Sequence, residues 1–412
     1  MRRSAPRPGE RPLRVVHVMT SLLSGGAEEN TLATCRGQIA RGYDVWLIHG
    51  NDADPATLAA VPTGVRRLAE PRLRREIRLA SDLAAIVSLA RSLRRIAPDV
   101  VHTHQSKAGV LGRLAASRAG VPVILHSVHI LPFLNVSWPK RMLYLALERL
   151  VAPVTDGFIS VAQGMHDANL AAGLGTHKSN HVVYSGMDLG RFRGAVPAPE
   201  APEGQMIALV AALEPRKRHA AFLEVFAELA RDRPGLNLCL LGTGPEEAAL
   251  RAQARSLGLD ARVRFMGFRA DVERWIAAAD LCVLPSMREG LPRVVVQYVA
   301  AGKPVVVTHL EGIEEIVENG VNGFVVGRDD FEAMACAVAR LLDDPELACA
   351  MSQAARAQDL SCWSVERMEP AIDRILQGIL RRKAEMPAIE QSPAAIRSEA
   401  RGRGGSSVPQ RN

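Results

Sequence analysis

Aromatic residues are scarce in this sequence: they make up 4% of its 412 residues, whereas 48% of the residues are hydrophobic. Alanine, valine and leucine must therefore build most of the core. No apolar run reaches the roughly 18 residues that a membrane-spanning helix needs. The arginines at the N-terminus are not followed by an apolar segment, which argues against a signal peptide. We expect a cytoplasmic protein and leave open a peripheral association with the inner face of the cell membrane.

The six cysteines form no C-x-x-C pair and show no spacing typical of a metal site. Cys239 and Cys282 lie within apolar stretches that read as buried strands. The cysteines are thus expected to be reduced thiols that serve as small apolar side chains.

The positive charge is concentrated in one segment, from Arg66 to Arg95. This segment has nine arginines and three acidic residues, a net charge of +6. It contains no aromatic residue on which a base could stack, so nucleic acid is not the expected partner. Two interpretations stay open: a solvated helix face, or a patch that meets the anionic head groups of a membrane.

Apolar strands alternate with amphipathic helices along the chain. Most of the strands are continuous apolar runs, which indicates parallel sheets covered by helices on both faces. The length is too great for one core, and a segment rich in Pro, Ala and Gly divides the pattern. The sequence therefore predicts an α/β protein with two doubly wound, Rossmann-like domains that face a cleft. The predicted parts are a first domain at 13–192, a linker at 193–204, a second domain at 205–364, a last helix at 365–383 and a disordered tail at 384–412.

Ligands of such sheets bind beyond the carboxyl ends of the strands, so the residues that follow each strand are the candidates. In the first domain, Gly25 and Gly26 precede a helix and let a ligand approach the backbone. His129 ends a strand, where it can bond a sugar hydroxyl or a backbone carbonyl. His102 and His104 point the same way on another strand, but no third histidine or carboxylate is apparent, so no metal site is predicted.

In the second domain, Arg216, Lys217 and Arg218 lie at a strand-to-helix turn, where clustered cations suit a diphosphate. The glycines at the ends of the next strands, and an aromatic residue beside one of them, are candidates for contact with a nucleotide: Gly242, Gly244, Gly267 and Phe268.

The stretch that begins at Ser286 is a third candidate turn. Glu289 can accept hydrogen bonds from two adjacent sugar hydroxyls, and the backbone N–H groups of Gly290 and Leu291 can hold a phosphate. Gln297 follows on the next helix.

The segment EGLPRVVVQYVAAGKPVV, which starts at Glu289, resembles the signature turn of family 4 glycosyltransferases, which are retaining enzymes of the GT-B fold. SGGAEEN, HTHQSKAGVLGRLAA, SGMDLGRF and VRFMGFRADV also resemble segments of this family. The resemblance covers the chain from about Arg14 to Lys383. It implies an N-terminal acceptor domain, a C-terminal domain for a UDP- or GDP-linked sugar, and a last helix that returns to the first domain.

The resemblance also implies roles for individual residues. Lys217 corresponds to the lysine that binds the donor phosphate, and Glu289 to the first carboxylate of a Glu-x7-Glu motif. Gly25 and Gly26 correspond to the loop near the donor phosphates, and His129 to the histidine near the transferred sugar. The implied reaction keeps the anomeric configuration and requires no cofactor and no metal. The expected acceptor is a glycan or a lipid-linked sugar, in the assembly of cell-surface polysaccharide.

Three positions depart from the family pattern. Gln297 stands where the second carboxylate is expected, Ala212 where an arginine pairs with the diphosphate, and Ile130 where a glycine follows the histidine. We expect Arg216 or Arg218 to supply the missing cation. An active glycosyltransferase is the leading interpretation. The alternatives are a degenerate member that binds a nucleotide sugar or glycan without turnover, and a GT-B sugar-nucleotide epimerase.

Overall fold

The computed structural model describes residues 11–23, 25–134 and 136–385. Most of the tail predicted from residue 384 lies outside them. Two compact units are present: the first runs to Gly186 and resumes at Glu366, and the second spans Met187–Val365. The predicted linker at 193–204 forms neither helix nor strand and lies in the second unit, where the Ala198 N–H donates to the Arg274 carbonyl at 3.0 Å.

The first unit has a parallel sheet of seven strands in the order β3-β2-β1-β4-β5-β6-β7 among the described residues. Its strands are β1 (Arg14–Met19), β2 (Asp44–His49), β3 (Arg66–Ala69), β4 (Val100–His104), β5 (Val123–Val128), β6 (Gly157–Ser160) and β7 (Asn180–Val182). Its helices are α1 (Gly26–Ala40), α2 (Pro55–Ala59), α3 (Leu79–Ile96), α4 (Ser106–Ala119), α5 (Trp138–Val151) and α6 (Gln163–Ala171).

The second unit has a parallel sheet in the order β10-β9-β8-β11-β12-β13, within the same described ranges. Its strands are β8 (Met206–Val210), β9 (Asn237–Leu241), β10 (Val263–Gly267), β11 (Leu281–Leu284), β12 (Val305–Thr308) and β13 (Gly323–Val326). Its helices are α7 (His219–Arg231), α8 (Glu247–Ser256), α9 (Val272–Ala278), α10 (Arg293–Ala300), α11 (Phe331–Asp343) and α12 (Pro345–Ala357).

Both sheets contain the strand order 3-2-1-4-5-6 that is typical of Rossmann-like domains, which confirms the predicted fold class. The continuous apolar runs in the sequence explain this fold class, because they form strands that are buried on both faces. Every residue of β4, β5, β11 and β12 is buried. Such strands need helices on both faces, as a parallel sheet provides.

The last helix, α13 (Val365–Glu385), packs on the first unit, as predicted. Its buried stripe includes Leu376, Ile379 and Leu380, which share a core cluster with Leu13 and Val15 of the first strand segment. The repeat of three and four residues places this stripe on one face of the helix. The N-terminal unit is therefore completed by the far end of the chain.

The basic segment is not a single helix face. Arg66 and Arg67 lie on β3, at the edge of the sheet, and α3 begins only at Leu79. The helix-face interpretation was therefore wrong for the first part of the segment. A strand of four residues that begins with two arginines has too little apolar character to be recognised from sequence periodicity.

Candidate functional site

His129 follows β5 and belongs to a row of histidines that also includes one on β1 and one on β4, the neighbouring strands of the sheet. Its Nε2 lies 3.2 Å from Nδ1 of His104, and Nε2 of His104 lies 2.9 Å from Nδ1 of His17. A narrow recess is lined by both His129 and His104, together with Asn30, Thr34 and Ser127. The predicted site histidine therefore lies at the wall of a small pocket within the first unit.

The loop that leads into α1 contains the two predicted glycines. Gly25 has an extended backbone with φ −177°, and Gly26 is the first residue of the helix. A Cβ on Gly25 would lie 2.8 Å from Oε2 of Glu28. The glycine therefore makes room for the glutamate side chain one turn further on.

Glu28 and Gln105 hold this loop, and sequence reasoning did not identify either as functional. Nε2 of Gln105 donates to Oε1 of Glu28 at 2.7 Å, and Oε1 of Gln105 accepts from the N–H of Thr20 at 2.9 Å. The backbone of Gln105 has φ 59° and ψ 160°, a conformation that residues other than glycine rarely adopt. The position of Gln105 after β4 places this strained residue beside the loop that follows β1.

Burial raises the pKa of Glu28 to about 7, although backbone N–H groups and Arg75 act in the opposite direction. The side chain can therefore change its charge near neutral pH. Little in the sequence indicates that Glu28 is functional. Acidic residues are common in the first turn of a helix, because they interact favourably with the helix dipole.

In the second unit, the turn after β8 and the loop after β11 meet. Lys217 and Glu289 form an ion pair, and Nη1 of Arg216 donates to Oε2 of Glu289 at 3.1 Å. The N–H of Met287 donates to the Arg216 carbonyl at 2.8 Å, which joins the two segments through their backbones. Because β8 and β11 are neighbours in the sheet, their carboxyl ends bring these residues together.

The two cations of this cluster keep Glu289 in its charged form. Burial alone would raise the pKa of Glu289, but the positive charges of Lys217 and Arg216 outweigh burial and leave the pKa lower than usual. The side chains of Lys217 and Glu289 are each 11% exposed. The cluster combines two cations suited to phosphate oxygens with a carboxylate suited to sugar hydroxyls.

Arg218 does not belong to the cluster. Its guanidinium pairs with Asp329 and lies over the ring of Phe331, at 5.6 Å from the ring centroid. Its backbone is left-handed, with φ 56°, at the start of α7. Arg218 therefore has a different carboxylate partner from Arg216 and Lys217, which both contact Glu289.

Two of the predicted glycines of the second unit, Gly242 and Gly244, are explained by close packing. A Cβ on Gly242 would lie 2.1 Å from the carbonyl oxygen of Ala211, and a Cβ on Gly244 would lie 2.4 Å from that of Leu213. The carbonyl of Gly267 accepts from the N–H of Gly242 at 2.8 Å. A Cβ on Gly267 would meet no atom within 4 Å, but its φ of 64° is one that favours glycine. The side chain of Phe268 is 65% exposed.

The remaining predicted residues lie near the start of α10. Gly290 and Leu291 are buried in the loop before this helix, which begins at Arg293. Gln297 lies one turn into α10 and is partly exposed. Its position relative to Glu289 keeps the spacing of the two carboxylates in the family motif.

A third histidine joins His102 and His104, contrary to the interpretation from sequence. His17 of β1 pairs in register with His102 of β4, and the ring nitrogens of the three residues lie within 4.8 Å of one another. All three rings are buried. The sequence signal was a polar residue in the middle of the apolar strand RVVHVM, but only the pairing of β1 with β4 brings it to the other two.

No helix in the described part of the chain has the length and apolar character needed to cross a membrane.

Two family models match the chain in succession. Residues 24–191 match Glycosyltransferase Family 4, and residues 196–358 match Glycosyl transferases group 1. The UDP-Gal:alpha-D-GlcNAc-diphosphoundecaprenol alpha-1,3-galactosyltransferase of Escherichia coli is 27% identical over 81% of this chain and 89% of its own length. EpsD of Bacillus subtilis, which is described as a glycosyltransferase, is 30% identical over 67% of this chain and 75% of its own length.

Solved structures show the same fold. The Anabaena protein HepE in complex with UDP-glucose has a TM-score of 0.72 at 22% identity, over 89% of this chain and all of that one. Sucrose-phosphate synthase from Thermosynechococcus elongatus has a TM-score of 0.75 at 18% identity, over 90% of this chain and all of that one. Taken together with the two Rossmann-like sheets and the matches that span both of them, this shows that the chain is a GT-B glycosyltransferase of family 4.

Proposed function

We propose that this chain transfers a sugar from a UDP-linked donor to a glycan or lipid-linked acceptor, with retention of the anomeric configuration, in the assembly of cell-surface polysaccharide. The observation that carries this proposal is the cluster of Lys217, Arg216 and Glu289 at the ends of β8 and β11. A similar protein, by its name, uses UDP-Gal and a diphosphoundecaprenol-linked sugar, and another has been solved with UDP-glucose. These relatives favour UDP over GDP as the donor nucleotide.

In the proposed reaction, Lys217 and Arg216 bind the diphosphate and stabilise the negative charge that grows as the bond from the sugar C1 to the phosphate oxygen breaks. Glu289 accepts hydrogen bonds from the sugar hydroxyls and orients the ring. The acceptor oxygen forms the new bond to C1 on the same face, and its proton passes to the departing phosphate. His129 contacts the transferred sugar.

Gly25 and Gly26 let the backbone approach the donor phosphates in this proposal. Gly242, Gly244, Gly267 and Phe268 border the nucleotide, and Gly290, Leu291 and Gln297 border the sugar and ribose. No metal ion is required, because two side-chain cations supply the positive charge. Excess EDTA is therefore expected to leave the rate unchanged.

The test is sugar transfer by the full chain with UDP-galactose, UDP-glucose and GDP-mannose, each with a diphosphoundecaprenol-linked GlcNAc acceptor. One UDP-sugar is expected to react, and NMR of the product should show the anomeric configuration of the donor. Glu289→Gln should lower the rate by about 100-fold or more. Glu247→Gln is the matched control, because Glu247 is a more exposed carboxylate of the same unit that pairs with Arg251 on α8.

A second candidate function is binding of a nucleotide sugar or glycan without turnover. Gln297 and Ala212 favour it, because each removes a charged contact that the family pattern contains. Calorimetry would then detect binding of a UDP-sugar, while no sugar is released or transferred with any acceptor. Product analysis also separates transfer from epimerisation of the donor, the remaining alternative.

We further propose that the first unit meets an anionic membrane surface through Arg66–Arg95 and the helix that ends this segment. Leu79, Leu83 and Val87, spaced four residues apart on α3, are 79%, 66% and 42% exposed. Helix α4 packs between α3 and α5, and α5 exposes Trp138, Met142, Leu143 and Leu150. Exposed apolar side chains beside arginines suit the boundary between lipid head groups and acyl chains.

Co-sedimentation with vesicles tests this surface. Binding to vesicles that contain phosphatidylglycerol is expected to exceed binding to pure phosphatidylcholine and to weaken as salt increases. The double variant Leu79→Gln with Leu83→Gln should weaken binding. Val321→Gln should not, because Val321 is an exposed apolar residue of the second unit. Salt-independent binding, or equal binding to both vesicle types, would exclude an electrostatic contribution from the arginines.

A further inference from the structure

A continuous chain of hydrogen bonds links the interior of the first unit to His129. Nε2 of His17 lies 2.8 Å from Oε1 of Gln38, and Nδ1 of His17 lies 2.9 Å from Nε2 of His104. Nδ1 of His104 then lies 3.2 Å from Nε2 of His129. The four residues come from α1, β1, β4 and the end of β5, and we call them the histidine chain.

The inner members of the histidine chain are buried and neutral. His17 and His104 are 0% and 2% exposed, and Gln38 is 5% exposed. Burial lowers the pKa of His17 to about 4 and lowers that of His104 well below its usual value. A neutral imidazole has one N–H donor and one lone pair, so hydrogen bonds between such rings must all run in the same direction.

Gln38 sets this direction. Its Oε1 can only accept, so His17 must carry its proton on Nε2 and its lone pair on Nδ1. His104 must then donate from Nε2, which leaves its own Nδ1 as the acceptor. His129 must donate from Nε2, and in its neutral form its lone pair lies on Nδ1. The orientation of one amide thus determines the tautomers of three rings.

We propose that Gln38, acting through His17 and His104, holds neutral His129 in the tautomer whose proton is on Nε2 and whose lone pair is on Nδ1. Gln38, His17 and His104 are therefore positioning residues. The consequence for catalysis rests on the proposed function: Nδ1 of neutral His129 carries a lone pair and cannot donate a hydrogen bond to the sugar. The tautomer itself does not depend on any activity.

The same cluster offers ligand atoms for a metal ion, because nitrogens of His17, His102 and His104 lie within 4.8 Å of one another. Two observations favour the hydrogen-bonded arrangement. The contact at 2.9 Å between His17 and His104 is hydrogen-bond geometry. The cluster also includes no carboxylate among the described residues, so a divalent charge buried there would not be balanced.

Nitrogen NMR of the full chain with ring-¹⁵N-labelled histidine tests the proposal directly. Two-bond correlations between ring protons and ring nitrogens report which nitrogen carries the proton, and single histidine variants assign the signals. We expect the Nε2–H tautomer at His17, His104 and neutral His129. The Nδ1–H tautomer at His104 would reverse the chain and overturn the proposal, and this measurement needs no variant other than those used for assignment.

Gln38→Met tests the cause. It removes the acceptor while keeping the length of the side chain, and His104 and His129 should then populate both tautomers. Thr103→Val is the matched control: it removes a buried hydroxyl that lies 3.0 Å from Nδ1 of His126, outside the histidine chain. The control should leave the tautomer of His129 unchanged. If Gln38→Met leaves it unchanged too, Gln38 does not set the tautomer.

Two further readouts complete the test. Elemental analysis of the purified chain should find no stoichiometric zinc, and one bound zinc per chain would replace the proposal with a metal site. Sugar transfer by Gln38→Met, with the UDP-sugar that the unmodified chain uses, should fall by about tenfold in kcat with a smaller change in KM. If the tautomers are as expected but the unmodified chain transfers no sugar, the proposed function fails and the tautomer assignment stands.

Discussion

The ammonium of Lys217 donates to Oε1 of Glu289, a residue 72 positions further along the chain. This ion pair joins the two residues that are expected to contact the diphosphate and the sugar of a donor. Each side chain is largely buried, so neither charge is compensated mainly by water. Removing either partner would therefore leave the other charge buried with less compensation.

Breaking this pair should destabilise the second unit. Lys217→Met and Glu289→Gln are each expected to lower the free energy of unfolding by about 2–4 kcal/mol, because each leaves a buried partner charge less well paired. The double variant should cost at least about 1 kcal/mol less than the sum of the two. Urea denaturation of the single and double variants measures this coupling. Strictly additive effects would mean that the two charges do not interact in solution.

Arg216 and Arg218 provide a matched pair for testing which cation serves the donor. Arg216 bonds Glu289, whereas Arg218 pairs with Asp329. Arg216→Met should weaken the binding of UDP by about tenfold or more, whereas Arg218→Met should change it by less than about twofold. Titration calorimetry with UDP gives both values. If Arg218→Met weakened UDP binding more than Arg216→Met did, Arg218 would be the cation that serves the donor. The guanidinium of Arg216 would then serve Glu289 alone.

Gln297→Glu restores the second carboxylate of the family motif. A carboxylate forms stronger, charge-assisted hydrogen bonds to ribose hydroxyls than an amide oxygen does, so the affinity for UDP should rise by about threefold to tenfold. Gln353→Glu is the control, because it adds the same charge at an exposed position of α12. Calorimetry that finds no gain for Gln297→Glu over this control would mean that residue 297 does not contact the nucleotide.

Glu28 should make the stability of the first unit depend on pH. Its pKa is about 7 in the folded protein and near the ordinary value of 4.5 in the unfolded chain. The unfolded state therefore loses this proton first, and the contribution of Glu28 to the free energy of unfolding falls as the pH rises from 4.5 to 7. The loss amounts to at most about 3 kcal/mol and is complete above pH 7.

Glu28→Gln removes this dependence while keeping the oxygen that accepts from Gln105. Relative to the unmodified chain, the variant should gain up to about 3 kcal/mol between pH 5 and pH 8 in urea denaturation. A difference between the two proteins that stays constant over this range would place the pKa of Glu28 near its ordinary value.

Much of the fold could be predicted from local sequence patterns. Continuous apolar strands such as DVVHTH and PVVVTH predict buried parallel strands, and the turn residues after them predict where ligand contacts lie. On this basis Lys217 and Glu289 are candidates at two separate turns, since each follows a strand, and the family resemblance implies that both contact the donor. The edge strand at Arg66–Ala69 was missed because it is short and charged. Its position depends on pairing with β2, which periodicity does not encode.

The sequence by itself determined the two parallel sheets and the chemical types present at the strand ends, because these depend on hydrophobic period and turn composition. The return of the last helix to the first unit was implied only by the family resemblance. Only the tertiary structure decided which side chains at the strand ends meet. It paired Glu289 with Arg216 rather than Arg218, set the strained backbone of Gln105, and brought His17 beside His104. The physical reason is that strand order and loop conformation determine these contacts, which join residues far apart in the chain, whereas propensity and periodicity are local.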